Sequence, residues 1–210
     1  MPGSWGVVVP VKRLALAKTR LSPYGDEARA ALALAFAADV VEQALSCPEV
    51  GDVLVVTDDP IAAGVLAGLG ARIEPDDPGA GLNPALQHGV DRLRSSGAGR
   101  GVATVAADLP AARPGDLAAV LCAVQPGQRA FVTDSGRVGT TLLAAGPGAD
   151  LHPAYGFGSR AQHLASGATE LLAADGLRRD VDTPGDLAIA LRLGVGRHTA
   201  AAVALLSWAP

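Results

Sequence analysis

The stretch VVVPVKRLALAKTRLSP, residues 7–23, joins an apolar run to a segment that carries cations. The valines are typical of a strand that is buried on both faces of a parallel sheet. Lys12, Lys18 and Arg20 follow that strand closely. Ligands of open α/β sheets bind outside the carboxyl ends of the strands. The positive charge at this position therefore predicts an anionic ligand.

The composition of the chain limits its fold and its partners. A length of 210 residues suits one sizeable core, so we predict a single domain over residues 1–210. The formal charge of −4 argues against a nucleic-acid-binding protein. No apolar run approaches the length of a membrane span, and the N-terminus lacks the features of a signal peptide. We expect a cytoplasmic, soluble protein that binds neither nucleic acid nor membrane.

Strand-like and helical segments alternate along the first part of the chain. The predicted strands are 5–11, 53–57, 71–75 and 101–108. The predicted helices are 26–45, a short one that ends at residue 68, 83–93 with Asn83 as N-cap, and 113–124. This alternation predicts an α/β fold in three layers, with helices on both faces of a mostly parallel sheet.

The pattern changes after residue 128. The runs RAFVTD and VGTTLLAA are separated by the turn SGR, which predicts a hairpin and therefore a mixed sheet. The connection GPGADLHPAYGFGS, residues 146–159, is longer than an ordinary loop, so we expect it to have a function. Helices are predicted near 159–166 and at the C-terminal end.

The cysteines and histidines do not predict a metal site. Cys47 and Cys122 lack the spacing of metal ligands and are predicted to be reduced, buried thiols. The histidines are scattered and form no H-E-x-x-H pattern; they are His88, His152, His163 and His198.

Three carboxylates are candidates for a magnesium site. Asp108 ends the predicted strand 101–108, and Asp180 and Asp182 flank a valine in RRDVDTPGDL. In a strand, that spacing points both side chains to the same face. Mg²⁺ prefers one or two carboxylates together with substrate phosphates and water. The alternatives are that Asp108 only forms a turn, that Asp182 caps the helix beginning at Thr-Pro, and that the lysines are solvated surface residues.

A further group of residues lies in the second strand of the hairpin and in the long connection after it. Thr140 lies in GTT, and Gly156 and Ser159 lie in YGFGS just before a helix. Backbone N–H groups at such a position favour an anion. Taken alone, Thr140 is a strand former and Ser159 an N-cap. Together they predict a site for a small phosphorylated or carboxylated acceptor.

Short motifs occur in a fixed order across nearly the whole chain. They are VPVKRLALAKTRL, GLNPAL, ADLP, GTT, FGS followed by HLASGA, and DVDTPGDL. The series resembles the phosphoenolpyruvate / 2-phospho-L-lactate guanylyltransferases of deazaflavin coenzyme F-420 biosynthesis. The resemblance implies a nucleotide-diphosphosugar-transferase-like (Rossmann-like) α/β fold and transfer of GMP from GTP to a small phosphorylated acid. The Ala- and Gly-rich composition suggests an actinobacterial-type enzyme, which in this family points to phosphoenolpyruvate.

The resemblance also implies roles for individual residues. The matching residues are Thr140, Gly156 and Ser159 for phosphoenolpyruvate; Asp108, Asp180 and Asp182 for Mg²⁺; and Lys12, Lys18, with Arg20 beside them, and Asn83 for the nucleotide. The segment RVGTT is less glycine-rich than the family pattern, so Thr141 is an alternative to Thr140. We also expect hand-off of the product to the next enzyme of the coenzyme pathway.

The implied reaction is an attack of the acceptor phosphate on the α-phosphorus of GTP, with release of pyrophosphate. An anionic phosphate needs no general base, which agrees with the lack of a His–carboxylate dyad. Three alternatives are a 2-phospho-L-lactate guanylyltransferase, another sugar or cofactor nucleotidyltransferase, and a glycosyltransferase of the same fold. A glycosyltransferase of this fold usually has a D-x-D pair after the central strand, whereas ADLP contains one carboxylate. A sugar or cofactor nucleotidyltransferase would be expected to have a G-x-G-T-R-like loop after the first strand, and this sequence has none there. The residues do not distinguish guanine from other bases.

Overall fold

The strands form one mixed sheet in the computed structural model, which describes residues 4–77, 79–96 and 101–206. The strands are β1 Trp5–Pro10, β2 Val50–Val56, β3 Arg72–Glu74, β4 Gly101–Val105, β5 Arg129–Thr133, β6 Thr140–Ala145 and β7 Thr169–Glu170. Their order in the sheet is β3-β2-β1-β4-β6-β5-β7. Only the pairings of β6, with β4 and with β5, are antiparallel among these strands. The predicted hairpin and the mostly parallel sheet are both confirmed.

Helices cover both faces of the sheet. They are α1 Asp26–Leu45, α2 Pro60–Gly68, α3 Leu82–Ser96, α4 Pro114–Ala123, α5 Ser159–Ala165, α6 Asp175–Arg178, α7 Pro184–Leu193 and α8 Arg197–Leu206. The bounds of α1 are those predicted from the sequence. Among the described residues, we find no helix whose length and apolar character would let it cross a bilayer.

The valine run of β1 supplies both cores. Val7 and Val9 pack in one cluster with α1 and α4, whereas Val8 packs in a second cluster with α3. All three side chains are fully buried. Successive residues of a strand point to opposite faces, so an uninterrupted valine run is what a sheet between two helical layers requires.

One local feature was not predicted, and one local prediction is wrong. The segment after β1 folds into two 3₁₀ turns, Leu14–Leu16 and Thr19–Tyr24. Helix α3 begins at Leu82, and the Ala85 N–H donates to the Gly81 carbonyl, so Asn83 is not the N-cap.

The predicted environment of the cysteines is right for one of them only. Cys47 is buried, as predicted, and lies just beyond α1. Cys122 is exposed, although Leu121 beside it is fully packed in the core. Successive helical residues point in different directions, so the apolar pattern around Cys122 did not fix its burial.

Asp39, in α1, holds the beginning of α8. Its fully buried carboxylate accepts hydrogen bonds from the His198 N–H at 2.9 Å and the Thr199 N–H at 3.0 Å. The first N–H groups of a helix have no partner within that helix. Asp39 therefore acts as a cap supplied by a different helix, and it fastens the C-terminal helix to the core.

We expect Asp39→Ala to lower the free energy of unfolding by about 2–3 kcal/mol, since two charge-assisted hydrogen bonds are lost. Urea unfolding measures the change. Glu27→Ala, an exposed carboxylate at the start of the same helix, is the control and should change stability by less than about 0.5 kcal/mol. Equal stability of the two variants would contradict the capping role.

Candidate active site

A cleft of about 430 Å³ lies at the carboxyl ends of β1 and β4. Residues 10–12, 16–20 and 104–108 line it, with Leu82 and Leu86 of α3 on another side. The position is the one predicted from the strand ends, because β1 and β4 are parallel neighbours. The cleft thus combines cations, the two carboxylates of Asp108 and Asp182, and an apolar wall.

Lys18 lies between two of the predicted carboxylates. Its Nζ donates to Asp182 Oδ1 at 2.7 Å and also to Asp108 Oδ2. The Lys18 side chain is only 12% exposed. Burial lowers the pKa of Lys18, but the charges of Asp108 and Asp182 outweigh this effect and raise the pKa above its usual value. Lys18 is therefore a charged group at the centre of the site.

Asp180 adds a third carboxylate to this group. Within the described residues, no cation lies within 4.0 Å of it. Burial, followed by the negative charges of Asp108 and Asp182, raises the pKa of Asp180 to about 6. The one lysine between Asp108 and Asp182 thus leaves an excess of negative charge around Asp180.

Residues 180–182 lie in a loop between α6 and α7, not in the strand expected from the sequence, and Asp182 of this loop lines the cleft. The Val181 N–H donates to the Asp108 carbonyl at 3.0 Å, and the Val181 side chain is fully buried. This anchor holds the two flanking aspartates next to the end of β4. The cap of α7 is Thr183, in a reciprocal capping box with Asp186, so Asp182 does not serve as the cap.

Asp108 has a feature that favours a metal. Its Oδ1 is buried and has no hydrogen-bond partner among the described residues. A buried carboxylate oxygen without a partner is costly. Divalent cations such as Mg²⁺ bind carboxylate oxygens of this kind. The unpartnered oxygen and the excess charge at Asp180 both fit a cation at this point.

The other two predicted cations lie further out. Lys12 is exposed and lines the cleft, and no ion pair of the described residues includes it. Arg20 is 74% exposed, with its Nη1 3.6 Å from Asp182 Oδ2. Both side chains thus line the cleft and are open to solvent.

Asn83 supports the long loop that precedes α5. Its Nδ2 donates to the Tyr155 carbonyl at 3.0 Å, and its Oδ1 accepts from the Tyr155 N–H at 2.7 Å. Tyr155 also lines the cleft, and its hydroxyl lies 2.7 Å from Thr104 Oγ1. Burial raises the pKa of Tyr155 above its usual value. Sequence reasoning missed Tyr155, although an aromatic residue in a Gly- and Pro-rich loop was a signal.

We expect Asn83→Ala to speed hydrogen exchange of the Tyr155 amide about tenfold, because losing two hydrogen bonds favours local opening. Exchange mass spectrometry of peptides covering residues 151–158 measures this. Gln87→Ala is the control, since Gln87 lies on the same helix but bonds only to the exposed Asp91. Unchanged exchange in Asn83→Ala would show that the loop is held by other contacts.

Thr140 and Ser159, the predicted acceptor residues, lie together but outside the cleft lining given above. The Ser159 hydroxyl donates to Thr140 Oγ1 at 3.1 Å, and both side chains are buried. Gly158 rather than Ser159 is the N-cap of α5. The Thr141 hydroxyl already donates to the Leu177 carbonyl at 2.8 Å, which favours Thr140 over Thr141 as the ligand-binding residue.

Gly156 has a φ of +137°, which L side chains rarely adopt. No atom lies within 4 Å of the position a Cβ would take there. The backbone conformation, and not a lack of space, therefore requires glycine at this position of the loop.

Comparison with known proteins agrees with this geometry. Residues 29–182 match the MobA-like NTP transferase domain. The chain is 53% identical to the phosphoenolpyruvate guanylyltransferase of Thermomonospora curvata, over 96% of this chain and 89% of that protein. It is 55% identical to the enzyme of the same name from Streptomyces coelicolor, over 96% and 97% of the two chains. The chain belongs to the phosphoenolpyruvate guanylyltransferase family.

Membership of the guanylyltransferase family defines the class of reaction. The chain is a nucleotidyltransferase, and the alternative of a glycosyltransferase is excluded. The carboxylates and cations at the cleft therefore belong to an enzyme that transfers a nucleotidyl group.

Solved structures confirm the nucleotide-diphosphosugar-transferase-like fold. A protein from Desulfovibrio desulfuricans G20, assigned as a nucleotide-diphospho-sugar transferase, superposes with a TM-score of 0.74 at 16% identity, over 98% of this chain and 97% of that one. A nucleotidyl transferase from Methanothermobacter gives a TM-score of 0.59 at 16% identity, over 90% and 97%. The chain thus has the fold that its motifs implied.

Proposed function

We propose that this chain transfers GMP from GTP to phosphoenolpyruvate and releases pyrophosphate, as a step in the biosynthesis of deazaflavin coenzyme F-420. The observation that supports this most directly is Lys18 held between Asp108 and Asp182 at the end of the cleft. The names of the close relatives support phosphoenolpyruvate as the acceptor. The product would pass to the next enzyme of the pathway.

The triphosphate binds in this proposal beside the loop that follows β1. Lys12, Lys18 and Arg20 bring positive charge to one end of the cleft. Lysine supplies point charge to phosphate, and arginine can bind it through two N–H groups. The exposed apolar side chain of Leu82, on α3, offers a surface for the flat face of the base.

Asp108, Asp180 and Asp182 would hold Mg²⁺. The unpartnered Asp108 Oδ1 and the raised pKa of Asp180 both support a cation at this position. Bound Mg²⁺ would neutralise charge on the phosphate oxygens of the nucleotide. The carboxylates of this chain would contribute the negative charge that retains the ion.

Thr140, Gly156 and Ser159 would bind the acceptor. A phosphate oxygen of phosphoenolpyruvate forms a bond to the α-phosphorus of GTP, and the bond from that phosphorus to the bridging oxygen of pyrophosphate breaks. The acceptor phosphate is already anionic at neutral pH, so no group of the chain needs to remove a proton. The contribution of the protein is to position the two substrates and to neutralise their charge.

The test measures pyrophosphate release by the purified chain with Mg²⁺. GTP, ATP, CTP and UTP are each combined with phosphoenolpyruvate, 2-phospho-L-lactate and 3-phosphoglycerate. We expect turnover with GTP and phosphoenolpyruvate to exceed every other combination. Higher turnover with 2-phospho-L-lactate, or with another nucleotide, would show that the enzyme prefers that compound to the proposed substrate.

A further inference from the structure

His163 lies at the centre of a buried hydrogen-bond chain that the reaction described above does not use. The residue is fully buried in α5, within the segment HLASGA. Its Nδ1 lies 2.9 Å from Thr140 Oγ1, and its Nε2 accepts a hydrogen bond from the Ala154 N–H at 3.1 Å. The ring thus connects the loop before α5 to Thr140, a residue proposed to bind the acceptor substrate.

The contact with Ala154 determines which ring nitrogen carries the proton. A backbone N–H can only donate, so Nε2 of His163 must present its lone pair, and the proton of the neutral ring lies on Nδ1. Burial, followed by the charge of Arg129, lowers the pKa of His163 to about 4, so the ring is neutral near pH 7. The centroid of the His163 ring lies 5.6 Å from that of Phe131 and 5.5 Å from that of Tyr155, and these ring contacts fix its orientation.

This tautomer sets the direction of the hydrogen bonds at Thr140. Nδ1–H of His163 donates to Thr140 Oγ1, and the hydroxyl of Ser159 donates to the same oxygen at 3.1 Å. A hydroxyl has two lone pairs and one hydrogen. Both lone pairs of Thr140 are therefore occupied, and the hydrogen bonds of the described residues leave its own hydrogen without an acceptor.

We propose that His163 is a positioning residue that makes Thr140 an obligatory hydrogen-bond donor to the anionic acceptor substrate. The inference rests on the proposed function, in which Thr140 contacts that substrate. Phosphate and carboxylate groups offer acceptors only. With the other tautomer, Thr140 would donate to the ring and present a lone pair to the anion, which is repulsive.

Two substitutions separate the two contacts of the ring. In His163→Asn the side-chain amide reaches the position of Nδ1, so a donor to Thr140 is retained. In His163→Gln the amide reaches the position of Nε2, so the acceptor for the Ala154 N–H is retained while the donor to Thr140 is lost. We expect His163→Gln to raise the KM of the acceptor about tenfold, and His163→Asn to raise it less than about threefold. The KM of the nucleotide should stay within about twofold in both variants.

A double-mutant comparison tests whether the effect passes through Thr140. On a Thr140→Val background, His163→Gln should raise the acceptor KM less than about twofold further, because no hydroxyl remains to be oriented. An undiminished effect on that background, or equal KM values for His163→Asn and His163→Gln, would overturn the proposal. The KM is measured for whichever of the three acids the wild-type enzyme uses, so a different acceptor contradicts the proposed substrate but not the role of His163.

The tautomer can also be measured without substitution. Long-range ¹H–¹⁵N NMR of the wild-type protein near pH 7 should show the signature of a neutral ring protonated on Nδ1. A ring protonated on Nε2 would overturn the proposal regardless of the kinetics. This readout does not depend on the folding of any variant.

Discussion

Asp108→Asn and Asp182→Asn should each lower kcat at least about a hundredfold at a fixed Mg²⁺ concentration, because the amide keeps the shape of the carboxylate but not its charge. Each substitution also removes one of the two anionic partners of Lys18. The measurement is pyrophosphate release with GTP and phosphoenolpyruvate over a range of Mg²⁺ concentrations. Circular dichroism and a thermal melt check that the fold is retained.

The control for both variants is Asp150→Asn. Asp150 is 73% exposed and pairs with Arg94 at 2.8 Å, and it does not line the cleft. We expect wild-type kinetics from it. If Asp108→Asn and Asp182→Asn both turn over at the wild-type rate at every Mg²⁺ concentration, including those that do not saturate the wild type, the proposed magnesium site is wrong. A rate that recovers only at raised Mg²⁺ concentration would show a weakened site and agree with the proposal.

The positions of the cations and of Asp108 could be predicted from the sequence because they depend on one geometric rule. The valine run is entirely apolar, and Thr104 is the one polar residue of the run GVATV, so both are typical of central strands of a parallel sheet. The residues that follow such strands meet at one edge of the sheet. The proximity of Lys18 and Asp108 is therefore a consequence of strand order, and the two side chains form an ion pair.

The role of Asn83 could not be predicted in the same way. A local pattern of Asn followed by Pro fits a helix cap, but the amide of Asn83 bonds to Tyr155, 72 residues further along the chain. Propensity rules describe neighbours in sequence, whereas this contact depends on the packing of a long loop on α3. The same limit applies to His163, which has no second histidine or cysteine in its motif to mark it.

The loop 180–182 shows a different kind of error. The sequence pattern correctly predicted that two carboxylates lie near Asp108, those of Asp180 and Asp182. It wrongly predicted that they lie in a strand. Burial of Val181 and its hydrogen bond to the Asp108 carbonyl are enough to place the flanking residues, without a strand ladder. Two polar residues that flank one buried apolar residue can therefore lie on the same side of the chain without being part of a strand.

Lys18→Met should lower kcat/KM for GTP by about one to two orders of magnitude, since a charge-assisted contact is worth about 1.5–3 kcal/mol. It should also lower the melting temperature in the presence of a chelator. Removing one partner of a largely buried ion pair leaves the other charges uncompensated, and here Asp108 and Asp182 lose their shared cation. Methionine keeps most of the length and apolar contacts of the lysine stem.

Magnesium provides the decisive comparison for Lys18. If the carboxylates near Lys18 bind the ion, Mg²⁺ should raise the melting temperature of Lys18→Met more than that of the wild type, because it replaces the missing positive charge. Lys12→Met is the matched control: Lys12 is exposed and pairs with no carboxylate in the described part of the chain, so its melting temperature should not change. Its KM for GTP should still rise if Lys12 contacts the triphosphate. Wild-type GTP kinetics in Lys18→Met would show that Lys18 is a purely structural cation. An equal effect of Mg²⁺ on the melting temperatures of all three proteins would show that this group of carboxylates does not bind the metal.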